Sequence, residues 1–247
     1  MRNKDNWKPT KYVYRNKKLR ASNNTQEVNL NSRLITDLIA ETYDVRLKKY
    51  FKGKLLDLGC GKVPLYEFYK DYTSEVTCAD WEKSLHDNEF IDKITDLNQN
   101  LDFNNSEFDT ILLSDVLEHI LYPHNLMKEV YRILRPNGCL IMNVPFFYCL
   151  HEEPFDYFRY TKFALADLAN NSGLRVLELR AYGGVLEILA DLISKIVVIL
   201  PFVGKIISGL LQKMAWIFLK TKLGERISKK TGEKFPMGYY MVAQKVA

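Results

Sequence analysis

From Lys54 to Tyr182 short apolar runs alternate with helix-like stretches, and that alternation restricts the chain to a mostly parallel sheet with helices on both faces. "KLLDLG" (54–59), "EVTCAD" (75–80), "FDTILLS" (108–114), "GCLIMNVP" (138–145) and "LRVLELRAY" (174–182) have strand length and composition, with a shorter run at "DKIT" (92–95). Between them "PLYEFYKDY", "PHNLMKEVYRILRP" and "TKFALADLANNSG" carry helical patterning. The last two end in the stop signals Arg135-Pro136-Asn137-Gly138 and Asn171-Ser172-Gly173. Upstream, "NSRLITDLIAETYDVRLKKYF" opens on the capping candidates Asn31 and Ser32 and predicts an amphipathic helix. "MGYYMVAQKVA" (237–247) predicts a final strand, reached after an insertion of more than fifty residues. Sheets of this kind hold ligands at the carboxyl ends of their strands, so the site is expected in the loops after Leu58, Ala79, Thr95, Leu113 and Val144.

A chain of 247 residues, 47% apolar and 26% charged, suits one globular α/β domain carrying an insertion. Its positive charge is concentrated at the start, where eight basic side chains between Met1 and Arg20 face only Asp5. Such an arm can meet nucleic acid, anionic lipid or an anionic substrate; interleaved with Trp7, Tyr12 and Tyr14, it reads first as a solvated or loosely docked tail over residues 1–30. No apolar stretch with a small-residue cleavage site follows it, so a secretory signal is not expected. Cys60, Cys78, Cys139 and Cys149 lack metal-site spacing and read as small core residues in a reducing, cytoplasmic setting.

The strand at Lys54 runs into "GCGKVP" and then a helix, a context in which glycines let the backbone approach a ligand. A dinucleotide fingerprint needs a third glycine, and Val63-Pro64 stand there instead. A Walker loop is excluded because no Gly-Lys-Ser/Thr follows. What distinguishes the loop is Asp57, an anion two residues before Gly59, placed where a cationic ligand group can sit.

With Asp57, Gly59 and Gly61 in the form D-x-G-x-G, the chain resembles the class I S-adenosylmethionine-dependent methyltransferases over roughly residues 50–182, and further motifs match in order. The resemblance implies a doubly wound, Rossmann-like, seven-stranded sheet with an antiparallel final strand, and S-adenosyl-L-methionine as cofactor. It assigns Asp57 to the donor's amino group and Gly59 and Gly61 to its methionine and ribose portions. Asp80, 19 residues after Gly61, takes the ribose hydroxyls, since a carboxylate accepts two O–H bonds in a fork. Trp81 lies along the adenine, Asp96 and the Leu97 amide meet its edge, and Ser114 helps hold the methionine part through its main chain; a plain loop aspartate is the rival reading at Asp96.

Asp115, Glu118 and His119 stand at i, i+3 and i+4, so a helical turn there puts them on one face. Some relatives with such a Glu-His pair bind a divalent ion, and His151 can complete a set of that kind. The plainer reading, adopted here with no metal assigned, has Glu118 orienting and His119 lining the acceptor pocket. "VPFFYCLHEEPFDYFRYT" crowds His151, Glu152, Glu153, Asp156, Tyr157, Arg159 and Tyr160 after the fifth strand, at the same carboxyl edge. His151 is the first candidate for a base toward an attacking hydroxyl and His119 the second; a structural lid is the alternative. The segment resembles a type 11-like branch of the family associated with bacterial surface-glycan and lipid-linked sugar biosynthesis.

Residues 183–236 form an insertion in the minimal fold. Its stretch from 184 to 220 bears Glu187, Asp191, Lys195, Lys205, Lys213 and Lys220 as a narrow polar stripe on two otherwise apolar helices broken near Pro201 and Gly204. No uncharged apolar run of about 18 residues exists, so an interfacial hairpin with lysines at the headgroups is preferred to a packed lid, a dimer surface or a span. The domain reading is thus an arm (1–30), a methyltransferase domain (31–182 and 237–247) and the insertion. The functional reading is O-methylation of a lipid-linked or small-molecule glycan acceptor at the inner membrane face. The alternatives are a non-catalytic cofactor-binding scaffold and a methyltransferase acting on a small molecule or nucleic acid; the last ranks low because no Asn-Pro-Pro-Tyr-like motif is present.

Overall fold

The computed structural model describes residues 1–82 and 89–246, so Ala247 of the expected last strand lies outside the described residues. The chain divides into two compact units: Met1–Pro9, Leu47–Arg180 and Tyr239–Ala247 form the first, Thr10–Arg46 and Ala181–Gly238 the second.

The first unit is built on β3 (Lys54–Leu58), β4 (Glu75–Asp80), β5 (Lys93–Ile94), β6 (Phe108–Ser114), β7 (Leu134–Pro145), β8 (Leu174–Tyr182) and β9 (Gly238–Lys245), joined in one seven-stranded sheet of order β5-β4-β3-β6-β7-β9-β8. The sheet is mostly parallel with an antiparallel final strand, the Rossmann-like methyltransferase arrangement. β3 pairs in parallel with both β4 and β6, so strand order reverses at β3 and opens a crevice at its carboxyl end. Leu55, Leu56, Leu58, Ile111, Leu112, Leu140, Ile141 and Met142 are fully buried, as the near-continuous apolar runs require of a sheet covered on both faces.

Helices α2 (Tyr66–Tyr69), α3 (Pro123–Ile133) and α4 (Lys162–Asn171) belong to this unit. α3 starts with Pro123 in the first turn and buries Leu126, Met127, Val130 and Ile133 on one face. It ends before the expected stop: Pro136 keeps Arg135 out of the α region, and the fully buried Leu134 is extended and pairs with Phe108. α4 opens on Thr161, whose hydroxyl accepts the Ala164 amide at 3.2 Å, and closes at Gly173 with φ 89°.

The second unit contradicts the reading of residues 1–30 as a tail. β1 (Tyr12–Arg15) and β2 (Lys18–Ala21) form an antiparallel hairpin whose two-residue turn, Asn16-Lys17, has positive φ at both positions. In β2 basic residues alternate with apolar ones, so Leu19 and Ala21 are buried while Lys18 stays outside; in β1 Tyr12 is buried and Arg15 is exposed. The hairpin is fastened to α1 (Arg33–Thr42), where Asp37 accepts the Ala21 amide at 2.9 Å. Cys149 also departs from expectation: it is exposed, unlike Cys60, Cys78 and Cys139.

Helices α5 (Val185–Val197), α6 (Gly204–Leu219) and α7 (Lys222–Gly232) complete this unit. The expected polar stripe is split. Glu187, Asp191, Ser194, Ser208 and Gln212 are buried, while Ile193, Ile196, Ile199, Phe202, Ile206, Met214 and Ile217 are exposed. Glu187 accepts the Gly184 amide at 2.9 Å and the Ser228 hydroxyl; Gln212 accepts the Leu34 amide at 2.6 Å and donates to Asn31 at 3.1 Å. These bonds satisfy Glu187 and Gln212, whereas Asp191 Oδ1, Ser194 Oγ and Ser208 Oγ are buried with no hydrogen-bond partner among the described residues, and the apolar surface is left facing out. Among the described residues no helix is long and apolar enough to cross a membrane.

Candidate active site

The loop after β3 is shaped by its glycines. Gly59 and Gly61 have φ 76° and 50°, a region costly for other L-residues. A Cβ on Gly59 would come within 2.7 Å of Val116, so the bare backbone is needed where the loop passes the end of β6. Asp80 fixes the loop from the neighbouring strand, its carboxylate accepting the Gly61 amide at 2.6 Å and the Trp81 amide at 2.7 Å.

Asp57 is 4% exposed and accepts the Tyr69 hydroxyl at 2.7 Å. Burial pushes its carboxyl up to about 7; the Tyr69 bond works against that and the charge of Asp80 adds to it. Among the described residues no cation pairs with this acid at the carboxyl end of the central strand. Nothing in the sequence marked Tyr69 as its partner.

At the end of β6, Ser114 donates to Asn143 at 2.9 Å, and Asn143 donates to Asp115 at 2.5 Å. Asn143 is buried on the neighbouring β7, opposite Ser114 in register, and sequence reading missed it because it looks like one residue of an apolar run. Asp96 is exposed and accepts the Asn98 amide at 2.9 Å, the posture of a loop aspartate; Leu97 beside it is buried. Asn98 in turn accepts the Leu121 and Tyr122 amides at 2.8 and 3.2 Å, which ties this loop to the segment after His119.

Leu117–His119 form a single 3₁₀ turn, so Asp115 does not share a face with Glu118 and His119. Instead Glu118, His119 and His151 come together, their ligand atoms within 4.8 Å of one another. Glu118 is fully buried, its carboxyl pushed well up by burial and by the charge of Asp115, and both its oxygens lack a hydrogen-bond partner. His119 Nδ1 lies 2.9 Å from the Phe155 carbonyl, and His151 Nδ1 lies 3.3 Å from the Cys149 carbonyl and 3.2 Å from Asp156. Burial and the neighbouring His119 push His151 below its ordinary value.

The segment after β7 is held by ion pairing. Burial opposes the charge of Asp156, but a two-point bond from Arg159, at 2.5 and 2.6 Å, and the His151 amide bring it to about 2. The ring of Phe155 packs edge-on against Trp81 at 5.0 Å, so the histidine loop and the end of β4 touch. The structure therefore gathers Asp57, Gly59, Gly61, Asp80, Trp81, Ser114, His119 and His151 along one sheet edge, with Asp96 exposed.

A family described as methyltransferase domain matches residues 29–179. The fold is similar to a SAM-dependent methyltransferase from Archaeoglobus fulgidus, at 16% identity and TM-score 0.53, over 81% of this chain and 90% of that one. It is also similar to an S-adenosylmethionine-dependent methyltransferase from Mesorhizobium loti, at 15% identity and TM-score 0.53, over 84% and 99%. The [4+2]-cyclase SpnF shares the fold at 14% identity and TM-score 0.50, over 90% and 97%. No curated protein matches the chain.

Proposed function

From the premise that this chain belongs to the methyltransferase domain family and is an S-adenosylmethionine-dependent methyltransferase, we propose that it methylates a hydroxyl oxygen of a cell-envelope glycan or lipid-linked intermediate at the cytoplasmic membrane face. The residues present fit the donor. A glycine backbone that a Cβ would obstruct, a buried Asp57 that pairs with no cation among the described residues, and the Asp80 carboxylate suit its methionine, ammonium and ribose groups respectively. Asp57 answers the ammonium, Asp80 the ribose diol, Trp81 the adenine face, with Leu97 and Asp96 at the adenine edge and Ser114 at the methionine end.

S-adenosyl-L-methionine, when bound, supplies a methyl group on an already activated sulfonium. What remains for the chain is alignment and removal of one proton. Methylation of a hydroxyl would release one proton, and His151 Nε2 would take it, with His119 Nε2 as second choice. Each imidazole has Nδ1 against acceptors, which leaves Nε2 as the basic atom in the neutral ring.

The membrane part of the reading is supported by α5 and α6, which bury Glu187, Asp191, Ser194, Ser208 and Gln212 and expose Ile196, Ile199, Ile206, Met214 and Ile217. Phe202 is 99% exposed at the tip between α5 and α6. The exposed charges from 205 to 234 are mostly basic, with Lys205, Lys213, Lys220, Lys222, Arg226, Lys229, Lys230 and Lys234 against Glu225 and Glu233, and that balance suits anionic lipid. The test is methyl transfer from radiolabelled donor to extracted envelope intermediates, with flotation on phosphatidylglycerol vesicles. Label confined to water-soluble or nucleic-acid fractions, or protein that stays at the bottom of the gradient, overturns the acceptor and membrane assignments. A second reading, in which the fold binds the cofactor without transferring methyl, draws on its occurrence in a cyclase. Tight S-adenosylhomocysteine binding without transfer to any fraction would favour it.

A further inference from the structure

A cavity of about 290 Å³ lies within the second unit, walled by α1, α5, α6 and α7 and containing none of the residues assigned to the donor. Its charged lining is mostly acidic, with Glu41, Glu187 and Glu225 against the single ammonium of Lys220. Glu187 is 1% exposed and accepts the Gly184 amide and the Ser228 hydroxyl, and no cation pairs with it among the described residues. A recess lined mostly by one sign of charge concentrates the opposite sign from solution. The apolar part of the lining is Leu38, Leu219 and the indole of Trp216. The chain itself shows how this recess treats a cation. Lys220 Nζ stands 4.2 Å from the centre of the Trp216 ring and pairs with Glu41, so one ammonium is held by an indole face and a carboxylate. The Lys220 and Glu41 side chains are 42% and 39% exposed, and an ion pair that open to solvent is held weakly.

We propose that this cavity binds a small aliphatic ammonium, whose charged end replaces Lys220 on the Trp216 face and whose stem lies against Leu38 and Leu219. An inorganic ion would leave the indole and both leucines unused, whereas an ammonium on a short alkyl stem engages carboxylate, ring and apolar wall together. Such an ammonium comes either as a free amine or as the ethanolamine headgroup of a lipid, and the two share the contacts that recognise the charge. The inference concerns the second unit alone and needs neither the donor nor the acceptor of the methyl-transfer reading.

The full chain is titrated by calorimetry with butylamine and with ethanolamine, and with butanol and butyrate as the neutral and anionic counterparts. Both amines are expected to saturate a single site, and the alcohol and the acid to leave it empty. Trp216→Leu should weaken amine binding about tenfold. Lys220→Met should tighten it about threefold, because a competing ammonium is gone and the acidic lining remains, whereas a merely disturbed fold would not tighten binding. Lys220 is exposed, so this variant stays informative if Trp216→Leu fails to fold. Displacement of ethanolamine by phosphatidylglycerol vesicles that contain phosphatidylethanolamine, and not by phosphatidylglycerol alone, identifies a lipid headgroup as the source; displacement by neither identifies a free amine. Butylamine that binds no better than butanol, or Lys220→Met that leaves the affinity unchanged or lower, overturns the site.

Discussion

Lowering the pH from 8 to 6 should weaken S-adenosylhomocysteine binding about tenfold through Asp57. Burial, partly offset by the Tyr69 hydroxyl and reinforced by Asp80, places the Asp57 carboxyl at about 7 from an ordinary 3.8. If the ligand's ammonium binds only the ionised form, the apparent Kd scales as one plus the ratio of protonated to ionised Asp57, about 1.1 at pH 8 and about 11 at pH 6. Binding at pH 6 should therefore release about 0.9 proton, and at pH 8 about 0.1. Calorimetry in buffers of different ionisation enthalpy counts these protons. Asp57→Asn should flatten both the affinity profile and the proton release, and weaken binding at pH 8 by about 10- to 100-fold through loss of a charged hydrogen bond. The same carboxyl makes the ligand-free fold less stable as pH rises: with the folded value raised, the folded state holds the extra proton between pH 3.8 and about 7, and the stability goes as pH climbs through that window. Equal wild-type affinity at pH 6 and 8 with no proton release would refute the assignment of Asp57 to the ammonium.

Further outcomes follow from other parts of the molecule. His151→Ala and His119→Ala should each keep S-adenosylhomocysteine affinity within about twofold and cut turnover by about 10²- to 10⁴-fold, read by steady-state transfer assays; unchanged rates in both would remove the histidines from the chemistry. Because His151 is pushed below its ordinary 6.5, the acid limb of the wild-type rate profile should begin below that pH. Gly59→Ala should lose about 2–4 kcal/mol, part from positive φ and part from the clash with Val116, measured by denaturant unfolding. Val116→Ala in the same chain should recover only the clash. Ile196→Glu with Phe202→Glu, on exposed positions of the second unit, should abolish vesicle flotation while leaving thermal stability unchanged; retained flotation would place membrane contact elsewhere.

The sequence by itself determined the order of strands and helices and the place of the glycine loop, because apolar periodicity, Pro123, Gly173 and the Asp57-Gly59-Gly61 spacing are local signals read without tertiary context. It also brought Asp80, His119 and His151 forward as individuals. It misjudged the basic segment, since alternation over four residues around Asn16-Lys17 is easily overlooked among so many charges, and it misjudged the polar stripe of α5 and α6. Which way a stripe faces depends on what packs against it: Gln212 satisfies Leu34 and Asn31, and Glu187 satisfies Gly184 and Ser228, so in this unit polar groups went inward. Tertiary structure alone decided that Asp115 turns to Asn143 while Glu118 meets two histidines 32 residues apart. Helical spacing had joined Asp115 to Glu118; the positive φ of Asp115 and the 3₁₀ turn after it separated them, and β7 carried His151 back to the same sheet edge.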